Sequence, residues 1–155
     1  MTAECQVTVG VQADDFDPGR LQESLLLGDA GEGAVVTFTG YVRRSNEQRD
    51  VQTLTLEHYA GMTEASIRDI ALEAARRWPL LAVSVVHRIG QLHPGDRIVW
   101  VGTSSAHREA AFAASEFVMD YLKTRAPFWK KESGRDGDHW VDARESDNGR
   151  AARWD

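Results

Sequence analysis

Residues 82–103 read AVSVVHRIGQLHPGDRIVWVGT: two strongly apolar, β-branched runs, Ala82 to Ile89 and Arg97 to Thr103, on either side of Gln91-Leu92-His93-Pro94-Gly95-Asp96. Proline presets the backbone of a turn and glycine accepts the positive φ that follows it, so the Pro94-Gly95 pair predicts an antiparallel hairpin. Upstream, Thr63 to Trp78 places Ile67, Ile70, Ala71, Ala74, Ala75 and Trp78 at helical spacing, and Pro79 ends the helix. Downstream, Ser104 and Ser105 are placed to cap a second helix, from about His107 through Phe112, Ser115, Val118, Met119 and Leu122 to about Arg125.

The remaining segments are shorter. Cys5 to Val11 alternates valines with polar residues, and Asp17-Pro18-Gly19-Arg20 opens a short helix through Leu27 that the Gly28 to Gly33 cluster breaks. Ala34 to Val42 reads as a buried strand, followed by the polar loop Arg43-Arg44-Ser45-Asn46-Glu47. Val51 to His58 alternates again and is expected to pair with it. Trp129 to Glu132 and His139 to Ala143 predict a C-terminal hairpin, and the polar tail from Glu145 predicts a loosely held end. Two long helices among hairpin-forming strands indicate an α+β fold with mainly antiparallel sheet, in a single domain over residues 1–155.

The chain is acidic, with a net charge of −6, 42% hydrophobic and 27% charged residues. That balance argues against a general nucleic-acid binder, and no apolar run is long enough to span a bilayer. The N-terminus lacks the pattern of a signal peptide, and the single cysteine, Cys5, cannot form an internal disulfide. A cytoplasmic location is expected.

Against this acidic background, Tyr121 to Lys131 carries Lys123, Arg125, Lys130 and Lys131 together with three aromatic residues. Pro127 pushes Ala126 out of helical geometry, so Lys123 leaves from a helix end and Lys130 from a strand start. Two lysines on different elements can converge on one anionic group, with Phe128 and Trp129 as an apolar wall. Arg43-Arg44 after a strand and His107-Arg108 at a helix start add cations at two further junctions; the helix start also favours an anion through its unsatisfied N–H groups. Each cation has a plainer reading: Lys123 complementing a helix C-terminus, Lys130 and Lys131 guarding an edge strand, and Arg43, His107 and Arg108 solvated at the surface. The five histidines show no zinc spacing, no carboxylate pair stands out for glycosidase work, and no Gly-Lys-Ser/Thr follows the glycine cluster.

Several pieces in the same order resemble one family, the large, catalytic subunit of molybdopterin synthase, or MoaE family. They are Val36-Thr37-Phe38-Thr39-Gly40 with Val42-Arg43, Leu54-Thr55-Leu56-Glu57-His58-Tyr59 with Gly61-Met62-Thr63, His87-Arg88-Ile89-Gly90, Ser105-Ala106-His107-Arg108, Met119 through Lys131, Trp140-Val141 and Ala143-Arg144-Glu145-Ser146. The resemblance covers roughly Gly33 to Asp147.

It implies an α+β fold with a hammerhead-like β arrangement, and a sulfurtransferase that converts cyclic pyranopterin monophosphate (precursor Z) into molybdopterin. Sulfur would come from the C-terminal thiocarboxylate of a small, ubiquitin-like sulfur-carrier subunit, in a heterotetramer built on a dimer of large subunits. No cofactor or metal is implied, and no nucleic acid or membrane partner. By the resemblance, Lys123 and Lys130 are the catalytic lysines. Arg43, His107 and Arg108 line the substrate pocket, and Lys131 and Glu132 contact substrate or orient Lys130. Tyr41 and Val42 contribute at the Arg43 junction, Tyr41 through its backbone, and Arg144 reaches the phosphate. Two alternatives stand beside this reading: a non-catalytic docking module for a Gly-Gly tail, and an unrelated small-anion-binding domain.

Overall fold

The computed structural model describes residues 4–46, 49–141 and 144–155. The hairpin forms as predicted: β6 (Ala82–Arg88) pairs antiparallel with β8 (Arg97–Ser105), with Val85 opposite Val101. At its turn the Asp96 N–H donates to the His93 carbonyl at 2.9 Å, and Gly95 takes a φ of +92° that a side chain would resist. Between the two strands lies a short extra strand, β7 (Gly90–Leu92), which leaves the hairpin to join another sheet.

Two four-stranded sheets organise the chain. The first runs β1-β6-β8-β2, with β1 (Gln6–Gln12) parallel to β6 and β2 (Ala34–Tyr41) antiparallel to β8. The second runs β10-β9-β5-β7, all antiparallel, built from β5 (Thr53–His58), β9 (Phe128–Gly134) and β10 (Gly137–Val141). A two-stranded ribbon, β3 (Ser45–Asn46) with β4 (Arg49–Asp50), lies between β2 and β5 in the chain. The expected pairing of the Ala34–Val42 and Val51–His58 strands therefore does not occur. Val51 to His58 does alternate, burying Leu54 and Leu56, whereas Ala34–Tyr41, expected to be a buried strand, is the edge strand of its sheet with no fully buried residue; neither pattern specifies a neighbour.

Side-chain alternation on β6 and β8 divides the core. Val83, Val85, Val99 and Val101 face α2 (Met62–Arg77) and α3 (Arg108–Arg125), meeting Ile67, Ala71, Ala74, Phe117 and Val118. Ala82, Val86 and Trp100 face the other way and pack with Phe16 and Leu25 around α1 (Pro18–Glu23), a helix that ends four residues before the expected Leu27. A third cluster, Val42, Leu54, Leu56 and Leu92, joins the second sheet to the chain leaving β2.

The C-terminal segment is ordered and helical, contrary to the loose tail expected from its polarity. Here α4 (Glu145–Ala152) starts with the Arg144 N–H donating to Asp147 at 3.3 Å, and the segment after it clamps α3. Trp154 packs edge-on to Trp78 and Phe117 with centroids 5.5 and 5.7 Å away, while its indole N–H donates to Asp120 at 2.7 Å. Arg153 pairs with the same carboxylate, and Asp155 accepts from Tyr121 and Arg125. Among the described residues no helix is long and apolar enough to cross a membrane.

Candidate functional site

The α3 helix ends as its sequence requires: Ala126, ahead of Pro127, sits at φ −82° and ψ 131°, and β9 begins at Phe128. Lys123 therefore projects from the last turn of a helix and Lys130 from a strand. Both line one cavity of about 640 Å³ between the ends of the two sheets. Thr63, fully buried at the start of α2, donates its hydroxyl to the Pro127 carbonyl at 2.9 Å and fixes the junction.

The second sheet decides which neighbours of Lys130 reach the cavity. Lys130 stands opposite Leu56 and Glu132 opposite Leu54, so these four share the inward face. Lys131 and Trp129 alternate to the outer face, where the Lys131 ammonium lies 5.8 Å from the Trp140 ring. The structure thus places Lys131 outside the cavity, and Trp129, 48% exposed, does not build the apolar wall expected of it. Phe128 does, stacked at 3.9 Å on His87 from the first sheet.

Arg43, Tyr41 and Val42 line the cavity from the end of β2. Val42 is buried with both backbone groups committed, its N–H to Asp96 and its carbonyl to Gly95 at the hairpin turn, so it holds the exposed Arg43 in place. Arg144 enters from the start of α4 and donates to the Asn46 side-chain oxygen at 2.7 Å; the Asn46 amide donates in turn to the buried Glu132 carboxylate at 2.5 Å. Asp147, one turn into α4, also lines the cavity.

His107 and Arg108 lie elsewhere. They border a separate, shallow depression with Gly33, Phe112 and Glu116, and within one chain the structure does not bring them to the lysines. His107 is the N-cap residue of α3; the expected serine cap is limited to the Ser105 hydroxyl accepting the His107 N–H at 3.3 Å. Ala143, part of the family resemblance, and Glu47, in the loop after β2, lie outside the described residues.

The electrostatics follow from this crowding. Burial, and then the neighbouring Lys123 ammonium, push Lys130 down to about 8, partly offset by Asp147 and Glu132. His87 is pushed down to about 3, first by burial and then by Lys130 and Lys123, so it is neutral at physiological pH. Its Nδ1 lies 2.8 Å from the Arg88 carbonyl, an acceptor, which assigns the hydrogen to Nδ1 and leaves Nε2 as a lone-pair acceptor. A cavity with two crowded amines, two guanidinium groups and a neutral imidazole can bind an anion and exchange protons with it. Among the described residues no group of His, Cys, Asp or Glu side chains is placed to hold a metal ion.

Asn46, Asp147 and His87 were not singled out by sequence reasoning. Asn46 sits in a polar loop with no periodic signal, and His87 continues the Val83–Val85 face and reads as core. Asp147 had a signal: it follows Arg144 by three residues, with Ala151 and Trp154 at helical spacing beyond it.

Comparison with known proteins agrees with this architecture. The profile of the family described as MoaE protein matches residues 11–125. The chain is 56% identical over 152 residues to the molybdopterin synthase catalytic subunit of Escherichia coli, covering 98% of this chain and 99% of that one. It is 54% identical over 149 residues to the protein of the same name from Pseudomonas aeruginosa, covering 96% and 99%. The solved molybdopterin biosynthesis MoaE protein from Burkholderia ambifaria superposes with a TM-score of 0.82 at 49% identity, covering 96% of this chain and 98% of that one. The chain belongs to the MoaE protein family.

Proposed function

We propose that this chain is the catalytic subunit of a molybdopterin synthase, a cytoplasmic sulfurtransferase. It would move sulfur from the C-terminal thiocarboxylate of a small ubiquitin-like subunit to cyclic pyranopterin monophosphate and so build the molybdopterin dithiolene. The observation that carries this reading is the convergence of Lys123 and Lys130, from a helix end and a strand start, on one cavity also lined by Arg43 and Arg144.

The reaction needs cationic partners for three anions: the thiocarboxylate, the substrate phosphate and the charge that develops on the pterin. Lys123, exposed at the edge of the cavity, meets the incoming thiocarboxylate, whose sulfur adds to an electrophilic substrate carbon while the electron pair of a bond from that carbon to oxygen passes onto the oxygen. Water then cleaves the acyl–sulfur bond, returning a carboxylate on the carrier and leaving sulfur on the pterin. Lys130, deeper and more easily deprotonated, stabilises the developing negative charge and returns a proton to it. Arg43 and Arg144 hold the phosphate, with Glu132 and Asn46 orienting Arg144.

Two large subunits would form the centre of a heterotetramer. His107 and Arg108 serve the substrate only if a neighbouring copy carries them to the cavity, since their own depression is separate. The test is to mix the purified chain with thiocarboxylated small subunit and precursor Z and to assay molybdopterin. No product from an intact complex overturns the reading; product undiminished by Lys123→Ala overturns the residue assignment.

A further inference from the structure

His87 has no part in the chemistry above, yet it is a buried imidazole on the wall of the reaction cavity. It belongs to β6 of the first sheet and stacks on Phe128 of β9 in the second, with ring centroids 3.9 Å apart and planes inclined by 20°. Phe128 is two residues before Lys130 on the same face of β9. The stack therefore joins the two sheets beside the Lys130 amine.

Cationic and anionic groups line the cavity with this ring, and Lys130 and Lys123 are the charged ones that act on it. Lys123 comes from α3, Lys130 and Glu132 from β9, Arg43 from the end of β2, and Arg144 and Asp147 from the start of α4. A protonated His87 would add a further positive charge to the lysine pair. Its Nδ1–H is committed to the Arg88 carbonyl, and the two ammonium groups oppose a second proton on the ring. His87 is thus a polar residue held uncharged, and Lys130 owes its altered proton affinity first to exclusion from water.

We propose that His87 is a positioning residue for Lys130: its uncharged ring, stacked on Phe128, closes the cavity wall around the amine and keeps water from it, so that the ammonium can release a proton during sulfur transfer. The inference rests on reading the cavity as a sulfur-transfer site, but its physical core can be measured on the chain alone.

The full chain labelled with 13C in its lysine side chains reports each amine's titration by NMR, and Lys130→Arg assigns the signal. The wild-type Lys130 midpoint lies near 8 and stays there in His87→Phe, which keeps the stacked wall. In His87→Ser and His87→Gln, which let water in, it moves up toward the ordinary 10.5. A midpoint that stays near 8 in the folded polar variants overturns the proposal, and so does an ordinary lysine midpoint in the wild type. Should His87→Ser not fold, His87→Gln, closer in volume, carries the same expectation. If neither folds, Phe128→Ala removes the stack from the other sheet, and an unmoved midpoint there overturns the proposal.

Turnover with thiocarboxylated small subunit supplies a second readout. In His87→Gln, kcat at pH 7 falls about tenfold while KM changes less than about twofold, and the alkaline loss of activity moves to higher pH. A purely structural role would lower the amount of active protein without moving that limb. Absence of molybdopterin with the wild-type chain would overturn the sulfur-transfer reading and leave the NMR result standing.

Discussion

The Thr63 hydroxyl donates to the Pro127 carbonyl at 2.9 Å and accepts the Tyr59 N–H at 3.0 Å, so one buried side chain ties the start of α2 to the hinge between the two lysines. Thr63→Val preserves the shape and removes both bonds, leaving the part-buried Tyr59 N–H and Pro127 carbonyl without this partner. The expected loss is about 2–4 kcal/mol in urea unfolding, with Thr63→Ser close to wild type. Equal stability of the valine variant would mean that water replaces the hydroxyl and that the hinge is held by other contacts.

Acid should weaken the fold earlier than carboxylates alone would allow. His87 has a folded pKa of about 3 against an ordinary 6.5, so the folded state binds fewer protons in that window. Its contribution is fully present above 6.5 and is lost progressively as pH falls toward 3. Asp15, Glu73 and Asp155, each lowered chiefly by side-chain hydrogen bonds, from Arg97 to Asp15, from Arg77 and Arg76 to Glu73 and from Tyr121 and Arg125 to Asp155, lose their contributions only below their ordinary values of 3.8 to 4.5. Between pH 6.5 and 5 the decline attributable to His87 is about 1.5–2 kcal/mol. In His87→Phe that part of the decline should vanish; an unchanged slope would assign it to other groups.

Lys130 carries the same kind of cost in a more alkaline window. Its folded pKa of about 8 lies below the ordinary 10.5, so the folded state disfavours the ammonium. The penalty is complete below pH 8 and relieved as pH rises from 8 to 10.5. Lys130→Met should therefore raise Tm by a few degrees at pH 7, corresponding to about 1 kcal/mol after screening by solvent at the partly open cavity, while turnover falls at least about 100-fold. A lowered Tm would identify Lys130 as a residue that supports the fold from β9, an interior strand and not the edge its two lysines suggest.

Much of this was legible in residue order because local rules and tertiary structure agree. Pro94-Gly95 makes its turn, α2 follows its apolar spacing, and Pro127 separates Lys123 from Lys130 as its missing N–H demands. What was not legible depends on which elements meet. Ala34 to Tyr41 and Thr53 to His58 each read as a strand, but only the two sheet orders show that they belong to different sheets and that the first is an edge strand without a fully buried residue. The resemblance gives Lys131 a place beside Lys130, but a strand sends neighbours to opposite faces and only the register of β9 shows which of them lines the cavity. The tail looked soluble because Arg153, Trp154 and Asp155 find their partners on α3, far away in sequence.

The separation of His107 and Arg108 from the lysines makes the assembly testable by mixing inactive chains. Lys123→Ala and Arg108→Ala each remove one part of the proposed site. If Arg108 acts within its own chain, every site in a mixed dimer carries one defect and the mixture stays inactive. If a neighbouring copy supplies Arg108, each mixed dimer has one doubly defective site and one intact site. Random exchange of equal amounts makes half the dimers mixed, so activity should recover to about a quarter of wild type. The measurement is molybdopterin formation before and after subunit exchange, with saturating thiocarboxylated small subunit. No recovery, with exchange verified by mass-tagged chains, would remove His107 and Arg108 from the neighbouring cavity and return them to the role of solvated residues at a helix start.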